Sequence, residues 1–288
     1  MDYKYIIYEK EGQIARLTFN RPEKLNTFDF PKDKGICYEV EDCLREAEWD
    51  DDLKVIILKG AGRAFCAGHD LTRVYKVYEE FDAEPGKKRP SQRARLTTDK
   101  TWMRDLYQML LLHSKVTIAQ VHGHCIGEGI LMLAHCDLAV VAEDALISHA
   151  EQRLGFAGSG APLVPLYQTL GYKRARMMLL TGDAISGIEA ERIGLANKAV
   201  PADKLEEETE ALAKKICLMP RDGIAIGKAS NHMICDILGL TQGWNQGYLT
   251  HTLFTNLRWE DDEYNFIKQR EKKGVREGVH KRDERYIK

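Results

Sequence analysis

Apolar positions along the chain follow two spacings, and these predict strands alternating with helices. The stretch YIIYEKEGQIARLTF is rich in β-branched and alternating residues around Glu11-Gly12, which is typical of a hairpin. From Lys32 to Glu48, apolar residues recur every three to four positions and indicate an amphipathic helix: Ile36, Val40, Leu44 and Ala47. KVIILKG at 54–60 contains the apolar run VIIL, which predicts a buried strand.

The same alternation continues through the middle of the chain. We predict a helix over 102–113, a strand over 116–123, a helix after Gly129 and a strand over 137–143. The charged, proline-containing segment 78–101 is expected to be flexible. Beyond residue 201 the pattern becomes mainly helical, with Asp203 as the expected N-cap. We therefore expect a core over 1–200 and a C-terminal helical region over 201–288.

Composition places this chain of 288 residues among globular proteins, with 44% hydrophobic and 30% charged residues. No apolar run approaches the roughly 20 residues that span a bilayer, and the start lacks an apolar signal region. The seven cysteines show no CxxC spacing, which argues against a structural metal site. The net charge of −2 offers no general attraction for nucleic acid. We expect a soluble, cytoplasmic protein without a membrane, nucleic-acid or metal partner.

Two glycine-containing stretches are candidates for binding an anion. GRAFCAGHDL at 62–71 follows a buried strand, and Gly68 lets the backbone pass close to a ligand. CIGEGILMLAHCD at 125–137 places Gly-Glu-Gly immediately before an apolar helix. The free N–H groups and the dipole at a helix N-terminus favour a developing negative charge.

Five motifs in one order give the chain its resemblance to a known family. They are FNRPEKLNTF (19–28), FCAGHDL (65–71), VHGHCIGEG (121–129), AHCDLAVVAEDALISHAEQRLGF (134–156) and AERIGLANKAVP (190–201). Over residues 5–275 the chain resembles the crotonase superfamily, the enoyl-CoA hydratase/isomerase family. The resemblance implies an α/β fold, a crotonase-like ββα spiral core with a C-terminal helical trimerisation region. It also implies a homotrimer or homohexamer and an acyl-CoA thioester substrate, with coenzyme A only as part of that substrate.

Matched residue by residue, the family's two oxyanion donors fall on the backbone N–H groups of His69 and Glu128. Such donors are each worth about 3–4 kcal/mol in comparable oxyanion holes. The second catalytic glutamate of the family falls on Glu151, which we expect to transfer a proton. The first falls on Leu131, where the acid is absent. One carboxylate most simply supports isomerisation, although related hydratase-lyases of aromatic acyl-CoAs also use a single glutamate.

Glu128 stands where the family usually has glycine. Its carboxylate would oppose an oxyanion if it pointed inward, so we expect it to point outward or pair with solvent while its backbone functions. The alternative is a second acid/base. For hydration, His149, Gln152 and Glu128 are candidates to hold the water. His149 could equally be a histidine within a strand, paired with backbone.

The resemblance places backbone at Cys66, Ala67 and His69 near the adenine and pantetheine of CoA. Gly68, Asp70 and Leu71 belong to the same motif, and Leu131 and His149 complete the expected substrate-binding set. RPEKLN at 21–26 lines the mouth of the site, where Lys24 approaches a phosphate. Lys87, Lys88 and Arg89 are further candidates for phosphate contacts. A thioester or C–C bond hydrolase, and a non-catalytic binding or assembly protein of the same fold, remain alternatives.

Overall fold

The computed structural model describes residues 2–29, 35–73, 92–156, 163–252, 259 and 261–286. The predicted hairpin is present: β1 (Ile6–Glu11) pairs antiparallel with β2 (Ile14–Phe19). It begins a six-stranded sheet with the order β1-β2-β3-β5-β7-β9, in which all later pairs are parallel. The added strands are β3 (Val55–Gly60), β5 (Val116–Val121), β7 (Leu138–Ala142) and β9 (Lys198–Val200).

A second, three-stranded sheet positions three motifs of the candidate site side by side. It consists of β4 (Ala64–Cys66), β6 (His124–Ile126) and β8 (Leu146–Ser148), all parallel and in the order β4-β6-β8. Because the carboxyl ends of parallel strands lie at the same edge, the three segments that follow these strands meet there. These segments contain His69, Glu128 and Glu151.

Helices follow most strands, as the periodicity predicts. They are α1 (Ile36–Trp49), α2 (Gln92–Lys100), α3 (Leu106–Leu112), α4 (Glu128–His135), α5 (Val164–Thr181), α6 (Gly187–Arg192), α7 (Leu205–Cys217), α8 (Arg221–Ile237), α9 (Leu240–Thr252) and α10 (Phe266–Glu284). A π-helical turn over Thr101–Asp105 joins α2 to α3. Both α5 and α10 are broken by a glycine with positive φ, Gly171 and Gly274.

Two local predictions need correction. Residues 92–100 of the segment expected to be flexible form α2, where Arg95 and Asp99 are fully buried and lie 3.9 Å apart. Residues 74–91, which include Lys87, Lys88 and Arg89, lie outside the described residues. Asp203 is not a helix N-cap, because it lies inside a 3-10 turn over Ala202–Lys204, directly before α7.

One main hydrophobic cluster joins both sheets and the helices around them. Helix α7 contributes Leu205, Ala213 and Ile216 to this cluster and contacts strands of the larger sheet. The first helix after residue 201 therefore packs on the core, and the division at residue 201 stays a prediction. In the described part of the chain, no helix has the length and apolar character needed to cross a membrane.

Candidate active site

The segment after β4 is held beside residues 25–28. Ala67 N–H donates to the Leu25 carbonyl, Phe28 N–H donates to the Gly68 carbonyl, and Asp70 N–H donates to the Phe28 carbonyl at 2.8 Å. Phe28 and His69 form a parallel bridge, in which Gly68 and Asp70 make the hydrogen bonds to Phe28. In this geometry the N–H of the residue between them does not face Phe28. The backbone N–H of His69 is therefore directed away from Phe28.

Gly68 brings this segment into contact with the start of α4. Its φ is +95°, a conformation that favours glycine, and a Cβ at this position would lie 2.9 Å from the Ile126 carbonyl oxygen. Gly127 also has a positive φ, +54°, and its N–H donates to the Ser148 carbonyl at 3.1 Å. These contacts join the ends of β4, β6 and β8.

Glu128 is the first residue of α4. The first backbone hydrogen bond of this helix runs from Leu131 N–H to the Gly127 carbonyl, so Glu128 N–H precedes the intrahelical hydrogen bonds. Leu131, which the resemblance matches to the family's first glutamate, is fully buried. An apolar residue therefore occupies that position.

The expectation that the Glu128 side chain points outward is wrong. Glu128 is 2% exposed, its Oε1 lies 3.1 Å from Nδ1 of His69, and its Oε2 accepts a hydrogen bond from the Tyr107 hydroxyl. A buried carboxylate is tolerated when donors surround it, and here two side chains do so. Glu128 thus contributes a paired charge to the interior of the site.

The paired side chains shift each other's pKa values in opposite directions. Burial raises the pKa of Glu128, but the hydrogen bond and charge of His69, aided by Tyr107, outweigh burial and lower it. Burial lowers the pKa of His69, but the hydrogen bond and charge of Glu128 outweigh burial and raise it. Both shifts favour an imidazolium next to a carboxylate.

Tyr107 is a residue of the site that the sequence analysis did not single out. It lies in α3, and its ring centroid is 4.7 Å from that of His135. Nδ1 of His135 donates to the Leu131 carbonyl at 2.7 Å, while Nε2 accepts from the Trp244 indole at 3.2 Å. These neighbours require a neutral imidazole, and burial lowers the pKa of His135 to about 4. In the sequence, Tyr107 is indistinguishable from other aromatic core residues.

Glu151 begins a 3-10 turn directly after β8. Its side chain is 26% exposed, and its Oε1 lies 3.9 Å from Nε2 of His149, too far for a hydrogen bond. His149 is 1% exposed, and neither ring nitrogen has a hydrogen-bond partner within the described chain. The alternative that His149 is paired with backbone inside a strand is therefore wrong, since it also follows β8.

Lys24 and Asp70 form an ion pair at the mouth of the site. Lys24 Nζ lies 2.8 Å from Oδ2 of Asp70, and Arg21 approaches the same oxygen at 3.4 Å. Burial raises the pKa of Asp70, but hydrogen bonds from Lys24 and Thr72 outweigh burial and lower it. Lys24 remains 44% exposed, so its ammonium group is accessible to a ligand as well.

A cavity of about 710 Å³ brings most of the predicted residues together. From those predictions it is lined by Lys24, Ala67, Gly68, His69, Asp70, Leu71, Glu128 and Glu151. Cys66, Leu131 and His149 do not line it and are buried. The sequence analysis did not anticipate the part of the wall formed by α10, which includes Val275, Val279 and Arg282.

Comparison with known proteins identifies the family. The sequence model described as enoyl-CoA hydratase/isomerase matches residues 9–273. The chain belongs to the enoyl-CoA hydratase/isomerase family. It is 30% identical to hydroxycinnamoyl-CoA hydratase-lyase of Pseudomonas fluorescens over 247 residues, covering 86% of this chain and 84% of that protein.

Solved structures of enoyl-CoA hydratases share the fold of this family member. An enoyl-CoA hydratase from Mycobacterium smegmatis superposes with a TM-score of 0.83 at 27% identity, covering 98% of this chain and 94% of the other. An enoyl-CoA hydratase/isomerase from Xanthobacter autotrophicus Py2 superposes with a TM-score of 0.85 at 25% identity, covering 100% of both chains. The predicted crotonase-type α/β fold with a C-terminal helical region is thereby confirmed.

Proposed function

We propose that the protein adds water across the C2–C3 double bond of an enoyl-CoA thioester, or removes it in the reverse direction, through a stabilised enolate. The observation that carries this proposal is the environment of Glu151. Four carboxylates line the cavity in the described part of the chain. Three accept hydrogen bonds from side chains there: Asp70, Glu128 and Asp283. Among the described residues, the Glu151 carboxylate has only the 3.9 Å contact with His149, so it is available for proton transfer.

The oxyanion site in this proposal consists of two backbone N–H groups, those of His69 and Glu128. Their segments follow adjacent parallel strands and touch through Gly68 and Gly127. Glu128 N–H also lies at the N-terminus of α4, where the helix dipole favours negative charge. Donors that are fixed before the reaction stabilise the thioester oxygen as its charge develops.

Hydration is favoured by the polar groups of the cavity and by the relatives. His69 and Glu151 both line the cavity, so a water molecule can be held between ionisable side chains. Relatives named as hydratases also support this reaction. Isomerisation is the second candidate, because Leu131 leaves no carboxylate at the family's first catalytic position. Neither reaction requires a cofactor besides the CoA that the substrate carries.

The test measures products by mass spectrometry after incubation with crotonyl-CoA, 3-enoyl-CoAs and aromatic or alicyclic enoyl-CoAs in D₂O. Hydration predicts the mass gain of one water, whereas isomerisation predicts deuterium incorporation without added oxygen. Glu151→Gln is expected to lower the rate by roughly 10²–10⁴-fold, because general acid–base catalysis contributes about that much. Glu143→Gln is the control, since Glu143 does not line the cavity. Unchanged activity in Glu151→Gln would exclude this residue as the proton carrier.

We further propose a homotrimer or homohexamer. Helix α8 leaves a row of apolar side chains exposed at helical spacing: Ile226, Met233 and Ile237, at 70%, 71% and 85% exposure. Contiguous exposed apolar residues of this kind mark an interaction surface, which fits the assembly expected of the family. Light scattering of the protein as it elutes from a size-exclusion column measures the mass of the assembly. A monomer at micromolar concentration would contradict this proposal.

A further inference from the structure

The two positions assigned to the oxyanion amides both carry ionisable side chains, and these side chains contact each other. His69 Nδ1 lies 3.1 Å from Glu128 Oε1, and the Tyr107 hydroxyl donates to the other carboxylate oxygen. Tyr107 and Glu128 are fully buried, whereas the His69 side chain is 25% exposed. His69 and Glu128 both line the cavity. Of the three side chains, His69 is therefore the one that a substrate can reach most easily.

We propose that His69 is a second proton-transferring side chain of this site, which protonates the leaving hydroxyl of a 3-hydroxyacyl-CoA, and that Glu128 and Tyr107 position it. This inference rests on the proposed hydration and dehydration activity. It assigns to His69 the second proton transfer, for which Leu131 provides no acid. It also defines the substrate as an acyl-CoA with a hydroxyl at C3 or a double bond at C2.

The order of the strands places His69 and Glu151 on opposite sides of Glu128. His69 follows β4, Glu128 follows the central strand β6, and Glu151 follows β8. Both outer residues line the same cavity, and the charge of Glu151 contributes to the raised pKa of His69. The two proton carriers are thus close enough to influence each other, while the start of α4, which supplies the Glu128 amide, lies between them.

Carboxylates surround His69 and favour its charged form. Glu128 contacts the ring from α4, Glu151 faces it from the turn after β8, and Asp29 contributes from the segment after residue 28. Together they outweigh the effect of burial, so the pKa of His69 lies above its ordinary value. Asp70 follows His69 in the sequence, but its carboxylate is paired elsewhere. The Lys24 ammonium group donates to one oxygen and the Thr72 hydroxyl donates to the other. An imidazolium at His69 and a carboxylate at Glu151 are the forms that dehydration requires.

Dehydration then uses each group once. The Glu151 carboxylate removes the proton at C2, and the electron pair passes into the thioester enolate. The C3–O bond breaks as the hydroxyl oxygen takes the proton of His69, water leaves, and the enolate electrons form the C2–C3 double bond. Glu151 ends protonated and His69 ends neutral. Hydration is the reverse: neutral His69 takes a proton from water, and Glu151 returns one to C2.

The pH dependence of kcat/KM for dehydration tests this assignment, because it reports ionisations of the free enzyme. Wild-type activity is expected to fall at high pH as His69 loses its proton. His69→Gln should lower the rate by roughly 10²-fold or more and lose this dependence. Glu128→Gln should move the fall to lower pH, because the carboxylate that raises the pKa of His69 is removed. If His69 and Glu128 had only a structural role, the pH at which kcat/KM falls would be the same in Glu128→Gln and the wild-type protein.

Exchange of the C2 proton with D₂O separates failure of this inference from failure of the proposed function. Exchange needs Glu151 and the oxyanion site but no departure of the hydroxyl, so it should persist in His69→Gln. A wild-type protein that catalyses neither exchange nor dehydration contradicts the proposed function. A His69→Gln variant that retains the wild-type pH profile overturns the assignment of His69 alone. If His69→Gln does not fold, the pH profiles of kcat/KM for Glu128→Gln and Tyr107→Phe test the assignment instead. It is contradicted if activity falls at the wild-type pH in both variants.

Discussion

Gly129 packs directly against the carbonyl of Cys66. A Cβ at Gly129 would lie 2.4 Å from that oxygen, closer than real Cβ contacts permit. The backbone of Gly129 has no unusual φ, so the requirement for glycine is a matter of space. This contact sets the distance between β4 and the start of α4. The segment after β4 contains one proposed oxyanion donor, His69, and α4 begins with the other, Glu128.

Gly129→Ala is accordingly expected to destabilise the fold by about 1–3 kcal/mol, because overpacking displaces the backbone. It should also lower activity, since the displacement separates His69 from Glu128. Gly227→Ala is the matched control, because Gly227 is helical and nothing lies within 4 Å of its added Cβ. That variant should gain up to about 1 kcal/mol through better helix propensity. Urea denaturation measures the free energy of unfolding of both variants. Equal changes in Gly129→Ala and Gly227→Ala would contradict the packing argument.

His135 is expected to make folding sensitive to acid. Its pKa is about 4 in the folded protein against an ordinary value of 6.5, so the unfolded chain binds the proton more tightly. The stability due to neutral His135 is complete above pH 6.5 and is lost as pH falls toward 4. This difference corresponds to about 3 kcal/mol.

Urea denaturation between pH 4.5 and 7 checks this expectation. In His135→Gln the free energy of unfolding should rise less with pH than in the wild-type protein, because glutamine does not titrate. His280→Gln serves as the control, since the His280 side chain is 67% exposed. The same pH slope in His135→Gln and the wild-type protein would show that His135 is not responsible.

The His69–Glu128 pair should contribute to stability within a defined pH range. The pKa of Glu128 is lowered from 4.5, so its contribution is present above that pH and is lost on acidification. The pKa of His69 is raised from 6.5, so its contribution is complete below that pH and is lost as pH rises through the folded value. The coupling between the two side chains should therefore be largest between about pH 4.5 and 6.5.

A double-mutant cycle of His69→Gln and Glu128→Gln measures this coupling directly. We expect about 1–3 kcal/mol inside that range, as is usual for residues in one ion-pair network. The coupling should decrease at higher and lower pH. Additive effects at all pH values would show that the charged pair contributes no free energy of its own.

Lys24 is predicted to contact a phosphate of CoA at the mouth of the cavity. Lys24→Met should weaken the binding of an acyl-CoA by about tenfold and reduce the salt dependence of binding, with kcat little changed. Lys10→Met is a matched control, because Lys10 also pairs with an aspartate, Asp50 at 2.6 Å, but does not line the cavity. Titration calorimetry with a non-reactive acyl-CoA measures the affinity. An unaltered Kd in Lys24→Met would remove Lys24 from the CoA site.

The sequence by itself determined much of the local structure and the positions of the principal motifs. The hairpin, α1 and β3 follow from residue periodicity, because backbone geometry fixes which neighbouring side chains share a face. The ordered motifs located Glu151 and the segments of His69 and Glu128, which line one cavity. Asp203 was misplaced because helix ends depend on backbone hydrogen bonds that a single capping residue does not specify.

Only the tertiary structure decided what the Glu128 side chain does. Its partners are His69, 59 residues away in the segment after β4, and Tyr107, 21 residues away in α3. No local spacing in the sequence reveals these contacts. The sequence suggested an outward carboxylate because an isolated charge near an oxyanion is unfavourable. The fold removes that objection by supplying His69 and Tyr107 as donors inside a buried site, where pairing decides whether a charge is tolerated.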